Sequence, residues 1–244
     1  MISRLFYFWL SMSHTTAIIV AAGEGRRIGG EVPKTYLPVC GRPMVLRTLD
    51  QFFSAQAIEE VVLVIAADEF LRCETMLRDD SELANRRWIL QSGGPTRQQS
   101  VKKGLEKIGS DTDIVVIHDG ARPFVSPALI DRCVQASRDK GAVVVGVPVR
   151  DTIKIVSNDR WVQTTLSRSS LWAIQTPQVF RKQWIVEAHD RAAREAFEAT
   201  DDAMLVERIG KPVFVVDGES TNIKITTPED VWFAEALLRQ KRIP

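Results

Sequence analysis

The sequence predicts an α/β fold in which helices flank a mostly parallel sheet, with one additional β-hairpin. Short apolar runs rich in β-branched residues alternate with longer stretches of helical period, a pattern typical of parallel strands covered by helices. No linker rich in Gly, Ser or Pro interrupts the 244 residues, and one-domain α/β folds reach this length. We therefore expect a single domain over residues 12–244, with residues 1–11 as an N-terminal extension outside the fold.

The individual elements follow from the local patterns. Strands are predicted for the short apolar runs at residues 17–21, 61–66, 88–90, 114–118, 142–147 and 213–216. Helices are predicted where apolar residues recur three and four apart, at residues 96–108, 127–139, 181–197 and 228–239. The last helix also carries a start signal, because Thr227 can cap it and Pro228 suits the first helical position.

One segment departs from this alternation of strands and helices. Residues 152–156 and 161–165 have alternating patterns around the turn-forming residues 157–160, which predicts a β-hairpin arm at about 150–170. An isolated two-stranded hairpin is only marginally stable in water. The arm therefore needs a packing surface, either on its own domain or on a second subunit.

The composition excludes several classes of partner and location. Lys and Arg number 32 against 31 Asp and Glu, so the surface offers no basic field for a nucleic acid. No segment reaches the roughly 18 apolar residues of a membrane span, and the apolar run at residues 5–10 is too short for a signal peptide. The cysteines are odd in number and form no CxxC pair, which favours a cytoplasmic protein.

The strongest local signal is the segment from Ala21 to Lys34, which follows the first predicted strand. Ligands of open α/β sheets bind beyond the carboxyl ends of strands, and glycines let backbone N–H groups approach phosphate oxygens. Gly23 and Gly25 allow this approach, while Arg27 and Lys34 add positive charge. The segment therefore suits a triphosphate, with a simple glycine turn as the alternative.

Two familiar phosphate motifs do not fit this segment. A dinucleotide fingerprint would need glycine at Ile28, and a P-loop would need lysine after Gly30, where the sequence has Glu31. Neither a Rossmann dinucleotide site nor a Walker-type site is therefore predicted.

A second cluster follows another predicted strand. Asp119 and Arg122 should emerge at the same sheet edge as the glycine segment. A lone carboxylate there is well placed to hold Mg²⁺ against phosphates, directly or through water, although a loop cap is the alternative for Asp119. Asp111 and Asp113 precede the strand and so face the opposite edge, and His118 is expected to be buried and structural.

Two residues nearer the carboxyl end could also reach the cleft. Lys224 lies between a predicted strand and the last helix, and Thr200 could contact substrate or cap a helix. The sequence has no Ser/His/Asp or Cys/His arrangement that suggests covalent catalysis. Positive charge, glycine backbone and one carboxylate are instead typical of phosphoryl or nucleotidyl transfer, which depends on positioning and charge stabilisation.

An ordered set of short motifs runs from about Thr15 to Leu238. The motifs are Ala21-Ala-Gly-x-Gly-x-Arg27 with Pro33-Lys34, His118-Asp-Gly-Ala-Arg-Pro123, Pro148-Val-Arg-Asp-Thr-Ile-Lys154, Gln175-Thr-Pro-Gln178, Thr200-Asp201 and Asn222-Ile-Lys224. In this set the chain resembles the 2-C-methyl-D-erythritol 4-phosphate cytidylyltransferases of the non-mevalonate isoprenoid pathway. The resemblance implies a nucleotidyltransferase (Rossmann-like) domain with a protruding β-hairpin arm that exchanges between the subunits of a homodimer.

The resemblance also implies a role for each matching position. Arg27 and Lys34 would stabilise charge at the α-phosphorus, while Arg168 and Lys224 would hold the alcohol phosphate for attack. Nucleotide binding is implied for Ala21, Ala22, Gly23, Gly25, Gly94, Ser100 and Gly120. Substrate binding is implied for Asp119, Arg122, Thr152, Thr176 and Thr200, with Asp119 also at the Mg²⁺. Pro95 stands where some members have an acidic residue, which leaves backbone groups and Ser100 for base recognition.

The implied reaction joins the CMP part of CTP to 2-C-methyl-D-erythritol 4-phosphate, a sugar-alcohol phosphate, and releases pyrophosphate. A ribitol-5-phosphate cytidylyltransferase is the nearest alternative, but Gly120-Ala121 and the ending at residues 222–230 favour the erythritol enzyme. The misplaced Asp111 and Asp113 disfavour a sugar-nucleotide glycosyltransferase, and the joint presence of the candidate cations disfavours a non-catalytic regulator. The chain is expected to be monofunctional, because it ends shortly after the last helix.

Overall fold

The computed structural model describes residues 14–23 and 33–240. Its strands are β1 (His14–Val20), β2 (Pro38–Val39), β3 (Arg42–Pro43), β4 (Glu60–Ile65), β5 (Trp88–Ser92), β6 (Thr112–Asp119), β7 (Ala142–Pro148), β8 (Lys154–Val156), β9 (Val162–Thr165), β10 (Trp172–Arg181) and β11 (Phe214–Asp217). Its helices are α1 (Met44–Ser54), α2 (Phe70–Asp79), α3 (Arg97–Leu105), α4 (Pro127–Lys140), α5 (Lys182–Arg194), α6 (Asp202–Arg208) and α7 (Pro228–Arg239).

Seven of these strands form one sheet in the order β11-β7-β10-β6-β1-β4-β5. Its pairs are parallel, except that β10 runs antiparallel to both β6 and β7. The predicted α/β class with a mostly parallel sheet is therefore confirmed. Each strand and helix predicted from the sequence is also present, and the observed ends lie within a few residues of the predicted ends.

Two apolar layers cover the faces of the sheet. Successive residues of a strand point to opposite faces, so Ala17 and Ile19 of β1 join one core cluster while Ile18 joins the other. Side chains of α1, α2 and α4 complete the first cluster, and those of α3, α5 and α6 complete the second. Helix α7 packs through Ala234 in a smaller cluster beside β2. Among the helices of the described residues, none is long and apolar enough to cross a membrane.

The antiparallel strand β10 was not predicted from the sequence. Pro177 lies inside it, and the pairing with β7 shifts register between Gln175 and Gln178. Proline has no N–H group to donate to a ladder, so a proline within an apolar run argues against a central strand. The shifted register accommodates Pro177 and lets one strand continue on both sides of it.

The predicted hairpin is present between β7 and β10. Strands β8 and β9 pair antiparallel, with Lys154 opposite Thr165, and form a sheet of their own. Large apolar side chains on this arm are exposed, and Trp161 has 77% of its surface open to solvent. An uncovered apolar surface of this kind is typical of a protein interaction site.

Candidate active site

A cavity of about 900 Å³ opens at the carboxyl ends of β1, β4, β5 and β6. This is the sheet edge at which open α/β folds bind ligands. Predicted site residues that line it are Ala21, Ala22, Gly23, Lys34, Gly94, Ser100, Asp119, Gly120 and Lys224. The structure therefore brings together residues from five separate parts of the chain.

The base of the glycine segment is tied to the sheet. Ala21 donates its N–H to the carbonyl of Val64 at 2.7 Å, and its own carbonyl accepts from the hydroxyl of Thr35 at 2.9 Å. The second bond holds the short 3₁₀ turn Lys34–Tyr36 against the end of β1, which places Lys34 at the cavity. Gly25 and Arg27 lie outside the described residues.

Gly120 lets the ends of β1 and β6 come close together. Its N–H donates to the carbonyl of Val20 at 2.9 Å. A Cβ at this position would lie 3.0 Å from the Cβ of Ala21 and 3.2 Å from the Val20 carbonyl oxygen. A larger residue would therefore push apart the two strand ends that form the floor of the cavity.

A second loop, residues 93–96, enters the cavity from β5. Ser100 is almost fully buried, and its hydroxyl accepts from the Gly94 N–H at 3.0 Å and donates to the Thr96 carbonyl at 2.9 Å. Thr96 and Gln99 close the start of α3 with reciprocal capping bonds. Ser100 therefore shapes the loop, so that the backbone at Gly94 faces the cavity.

Asp119 is the centre of the charged groups at this edge. Its Oδ2 accepts from Nζ of Lys224 at 2.7 Å, and its Oδ1 accepts from Nε of Arg97 at 3.0 Å. Nε of Arg122 lies 3.8 Å from Oδ2, too far for a hydrogen bond. Burial raises the pKa of Asp119, but the neighbouring Arg97 and Lys224 outweigh it and hold the pKa well below its ordinary value. Asp119 is therefore a carboxylate at neutral pH.

Arg97 is a site residue that the sequence reasoning missed. It lines the cavity, and besides Asp119 it binds Oδ2 of Asp202 through Nη1 at 2.7 Å. Asp202 also accepts from Nε2 of His189 at 3.0 Å. Position 97 lies in the predicted helix at residues 96–108, but only the fold shows that it joins two carboxylates that are 83 residues apart in sequence.

Behind Asp119 lies a buried chain of hydrogen bonds through His118 and Thr176. Nε2 of His118 lies 3.0 Å from the carbonyl oxygen of Arg122; because a carbonyl only accepts, Nε2 carries the hydrogen. Burial lowers the pKa of His118 to about 4, so the ring is neutral and Nδ1 accepts from the Thr176 hydroxyl at 3.0 Å. That hydroxyl in turn accepts the Asp119 N–H at 3.1 Å. The chain fixes the backbone from which the Asp119 carboxylate projects.

The buried His118 predicts a loss of stability as the pH falls from about 6.5 to about 4. In this window the unfolded chain binds a proton that the folded ring does not, so stability rises with pH across it and is lost on acidification. The full contribution of His118 to the free energy of unfolding is roughly 3 kcal/mol, because each pKa unit corresponds to about 1.36 kcal/mol. Urea unfolding between pH 4.5 and 7 should show a steeper decline for wild type than for His118→Gln. Equal slopes would contradict the assignment, because the other titrating groups are common to both proteins.

The remaining predicted substrate ligands lie apart from the described lining of the cavity. Thr176 is buried and Arg122 is partly buried, and Arg122 donates to the Asn222 carbonyl at 2.8 Å. On the arm, Thr152 is exposed, and Arg168 donates to the carbonyl of Arg150 at 2.6 Å. Thr200 is exposed before α6.

The cap of α6 differs from the sequence expectation. Asp201, not Thr200, is the N-cap, and its carboxylate accepts from the Met204 N–H at 2.9 Å. The stronger capping preference of aspartate explains the difference. Thr200 is consequently not used to start the helix.

A family model described as 2-C-methyl-D-erythritol 4-phosphate cytidylyltransferase matches residues 15–240. The chain belongs to this family. Curated cytidylyltransferases of that name from Desulforamulus reducens and Pelotomaculum thermopropionicum are 43% and 44% identical to it. These matches cover 94% and 95% of this chain and 98% and 97% of the relatives. The resemblance stated from the motifs is therefore confirmed.

Solved structures of cytidylyltransferase relatives have the same fold. The 4-diphosphocytidyl-2C-methyl-D-erythritol synthase of Anaerococcus prevotii is 34% identical, with a TM-score of 0.83. The 2-C-methyl-D-erythritol 4-phosphate cytidylyltransferase of Thermus thermophilus is 35% identical, with a TM-score of 0.75. Each comparison covers 93% of this chain and 99% of the other.

The cytidylyltransferase cavity fits a divalent cation that is held mainly by phosphates. Residues 14–23 and 33–240 contain no group of three or more His, Cys, Asp or Glu side chains that could hold a metal alone. Arg97 and Lys224 use one oxygen each of Asp119, and a carboxylate has about four acceptor positions. Because Mg²⁺ commonly combines one or two carboxylates with substrate phosphates, Asp119 can be its protein contribution.

Proposed function

We propose that the protein transfers CMP from CTP to 2-C-methyl-D-erythritol 4-phosphate. The products are 4-diphosphocytidyl-2-C-methyl-D-erythritol and pyrophosphate, in isoprenoid precursor biosynthesis. The observation that carries the proposal is the cavity, where Lys34 and the Lys224–Asp119 pair lie beside the Ala21–Gly23 backbone. Family membership identifies the reaction to which this arrangement belongs.

The chemical step is a displacement at the α-phosphorus of CTP. A phosphate oxygen of the alcohol phosphate forms the new P–O bond, while the bond to the bridging oxygen of the β-phosphate breaks and pyrophosphate leaves with the electron pair. The second pKa of such a phosphate is about 6, so the nucleophile is already anionic at pH 7. The protein therefore supplies position and positive charge rather than a general base.

The cations divide into two functional pairs in this proposal. Lys34, with Arg27, stabilises the charge that develops around the α-phosphorus. Lys224, with Arg168, holds the attacking alcohol phosphate. The position of Lys224 supports this division, because Asp119 holds its ammonium group at the cavity.

The nucleotide is proposed to bind along the two loops of the cavity. Backbone groups of Ala21, Ala22, Gly23, Gly94 and Gly120 and the Ser100 position line this part, with Gly25 added from the family pattern. Mg²⁺ is proposed to bind the triphosphate and Asp119, where it would neutralise phosphate charge. Arg122, Thr152, Thr176 and Thr200 stay proposed substrate ligands.

A homodimer through the β-arm completes the proposal. The exposed apolar side chains of the arm support it, since a lone hairpin has little stability. Arg168 and Thr152 lie on this arm, so dimerisation would carry them to the partner's cavity. We place the enzyme in the cytoplasm, in keeping with its free cysteines.

Pyrophosphate release from CTP tests the reaction. With purified protein and Mg²⁺, we expect turnover with 2-C-methyl-D-erythritol 4-phosphate and far slower turnover with ribitol 5-phosphate. Chelation with EDTA should stop the reaction, and added Mg²⁺ should restore it. Turnover of ribitol phosphate alone would refute the proposed substrate, and full activity in EDTA would refute the metal requirement.

A further inference from the structure

Arg97 joins the cavity to a carboxylate that is sealed in the interior. Its Nε binds Asp119 and its Nη1 binds Asp202, whose side chain is only 1% exposed. Burial lowers the pKa of Arg97, but the attraction of Asp202 and Asp119 raises it above its ordinary value. The guanidinium is therefore a permanent positive bridge between a cavity residue and a core residue.

Asp202 is a fixed anchor for this bridge. It is the first residue of α6, where the helix dipole favours negative charge. Its other oxygen accepts from Nε2 of His189 on α5, and that side chain is only 2% exposed. Two packed helices thus hold Asp202, and Asp202 holds Arg97.

Arg97 and Lys224 bind different oxygens of the Asp119 carboxylate. Nε of Arg97 donates to Oδ1, and Nζ of Lys224 donates to Oδ2. The positive charge of Arg97 also offsets the negative charge of Asp119, so that Lys224 can still attract an incoming phosphate. A planar guanidinium can bind two carboxylates in fixed directions, which a flexible lysine ammonium cannot do.

We propose that Arg97 is a positioning residue: by bridging Asp119 to Asp202 it fixes the carboxylate that orients Lys224 toward the alcohol phosphate. This inference rests on the proposed function, because Lys224 matters only if it holds that substrate. Asp202 supports the same arrangement, because it holds Arg97, although it lies outside the described lining of the cavity. Substitutions of Arg97 at the cavity and of Asp202 in the interior should therefore cause the same kinetic defect.

The test uses the full-length variants Arg97→Lys and Asp202→Asn. Arg97→Lys keeps the positive charge but loses the planar guanidinium that binds two carboxylates. Asp202→Asn keeps the size of the side chain but removes its negative charge. Each should lower kcat/KM for the alcohol phosphate by roughly 10²-fold, the cost of a small misplacement, with little change in KM for CTP. The double variant should be no worse than the poorer single variant, because both break one unit.

Asp190→Asn is the matched control. Asp190 pairs with Lys102 at 3.3 Å and also joins α5 to α3, but this ion pair is far more exposed. It should leave both KM values and kcat unchanged.

Three outcomes would overturn the inference. Wild-type kinetics in Arg97→Lys would mean that charge alone suffices. A loss of folded protein in Asp202→Asn without a change in the kinetics of the remaining folded enzyme would mean a purely structural role. Inactivity of the wild type with this substrate pair would refute the proposed function and, with it, this inference, whereas the first two outcomes leave the proposed function intact.

Discussion

Replacing Lys34 with alanine is expected to lower kcat by roughly 10²–10³-fold, the typical effect of losing one group that stabilises a transition state. Lys34 lines the cavity and stands on a short turn held to the end of β1 by the Thr35 hydroxyl. Charge accumulates around the α-phosphorus as the new bond forms and pyrophosphate departs. A cation placed there lowers the barrier more than it strengthens ground-state binding.

Steady-state kinetics with CTP and the alcohol phosphate would check this expectation. Lys107→Ala removes an exposed lysine that follows α3 and does not line the cavity, so it should behave as wild type. An effect confined to KM for CTP would contradict the assigned role, because uniform binding of substrate and transition state leaves kcat unchanged. The unfolding midpoint of Lys34→Ala should lie close to that of wild type if the loss is catalytic.

The edge of the sheet where the site lies followed from the sequence alone. Parallel strands end at a common edge, so residues that directly follow β1 and β6 had to approach each other. Ala21 and Asp119 therefore line the same cavity, as expected, and the missing side chain of Gly120 allows the ends of β1 and β6 to approach each other closely. Asp111 and Asp113 were correctly placed at the other end of β6 by the same rule.

The partners of the site residues could not be derived in this way. Arg97 resembled any arginine in the first turn of a helix, and its two carboxylates come from distant elements. The pairing of Asp119 with Lys224 likewise depends on how the loop before α7 crosses the sheet edge. Periodicity locates an element but carries no information about which long side chains meet across elements.

The hidden strand β10 shows a second reason for incomplete prediction. Its local sequence contains Pro177, which signals a break, whereas pairing with both β6 and β7 stabilises the strand on each side of that break. Tertiary context overrode the local signal. Strand β10 also places Thr176 beside the backbone of Asp119, where its hydroxyl accepts the Asp119 N–H. The position of this motif residue therefore depends on a strand that was not predicted from the sequence.

Mixing two inactive variants should restore activity if the arm reaches the partner's cavity. In its own subunit Arg168 donates to the Arg150 carbonyl within the arm, and the arm's apolar side chains are uncovered. We expect Lys34→Ala and Arg168→Ala each to be nearly inactive alone. In their heterodimer, one site would carry both substitutions and the other neither. With random subunit exchange at equal amounts, about a quarter of wild-type activity should return, since half the dimers are mixed and each has one intact site.

A mixture of Lys34→Ala with Lys224→Ala separates this effect from general stabilisation by mixing. Lys34 and Lys224 line the cavity of the same chain, so every site in that heterodimer lacks one of them and no activity should return. Differently tagged subunits would show by affinity capture that exchange took place. If exchange occurs and the Arg168 mixture stays inactive, Arg168 acts within its own subunit. Activity that returns in the Lys34/Arg168 mixture but not in the Lys34/Lys224 mixture requires an active site built from two chains. Only in such a shared site can a heterodimer of two inactive variants contain one active site with every residue intact.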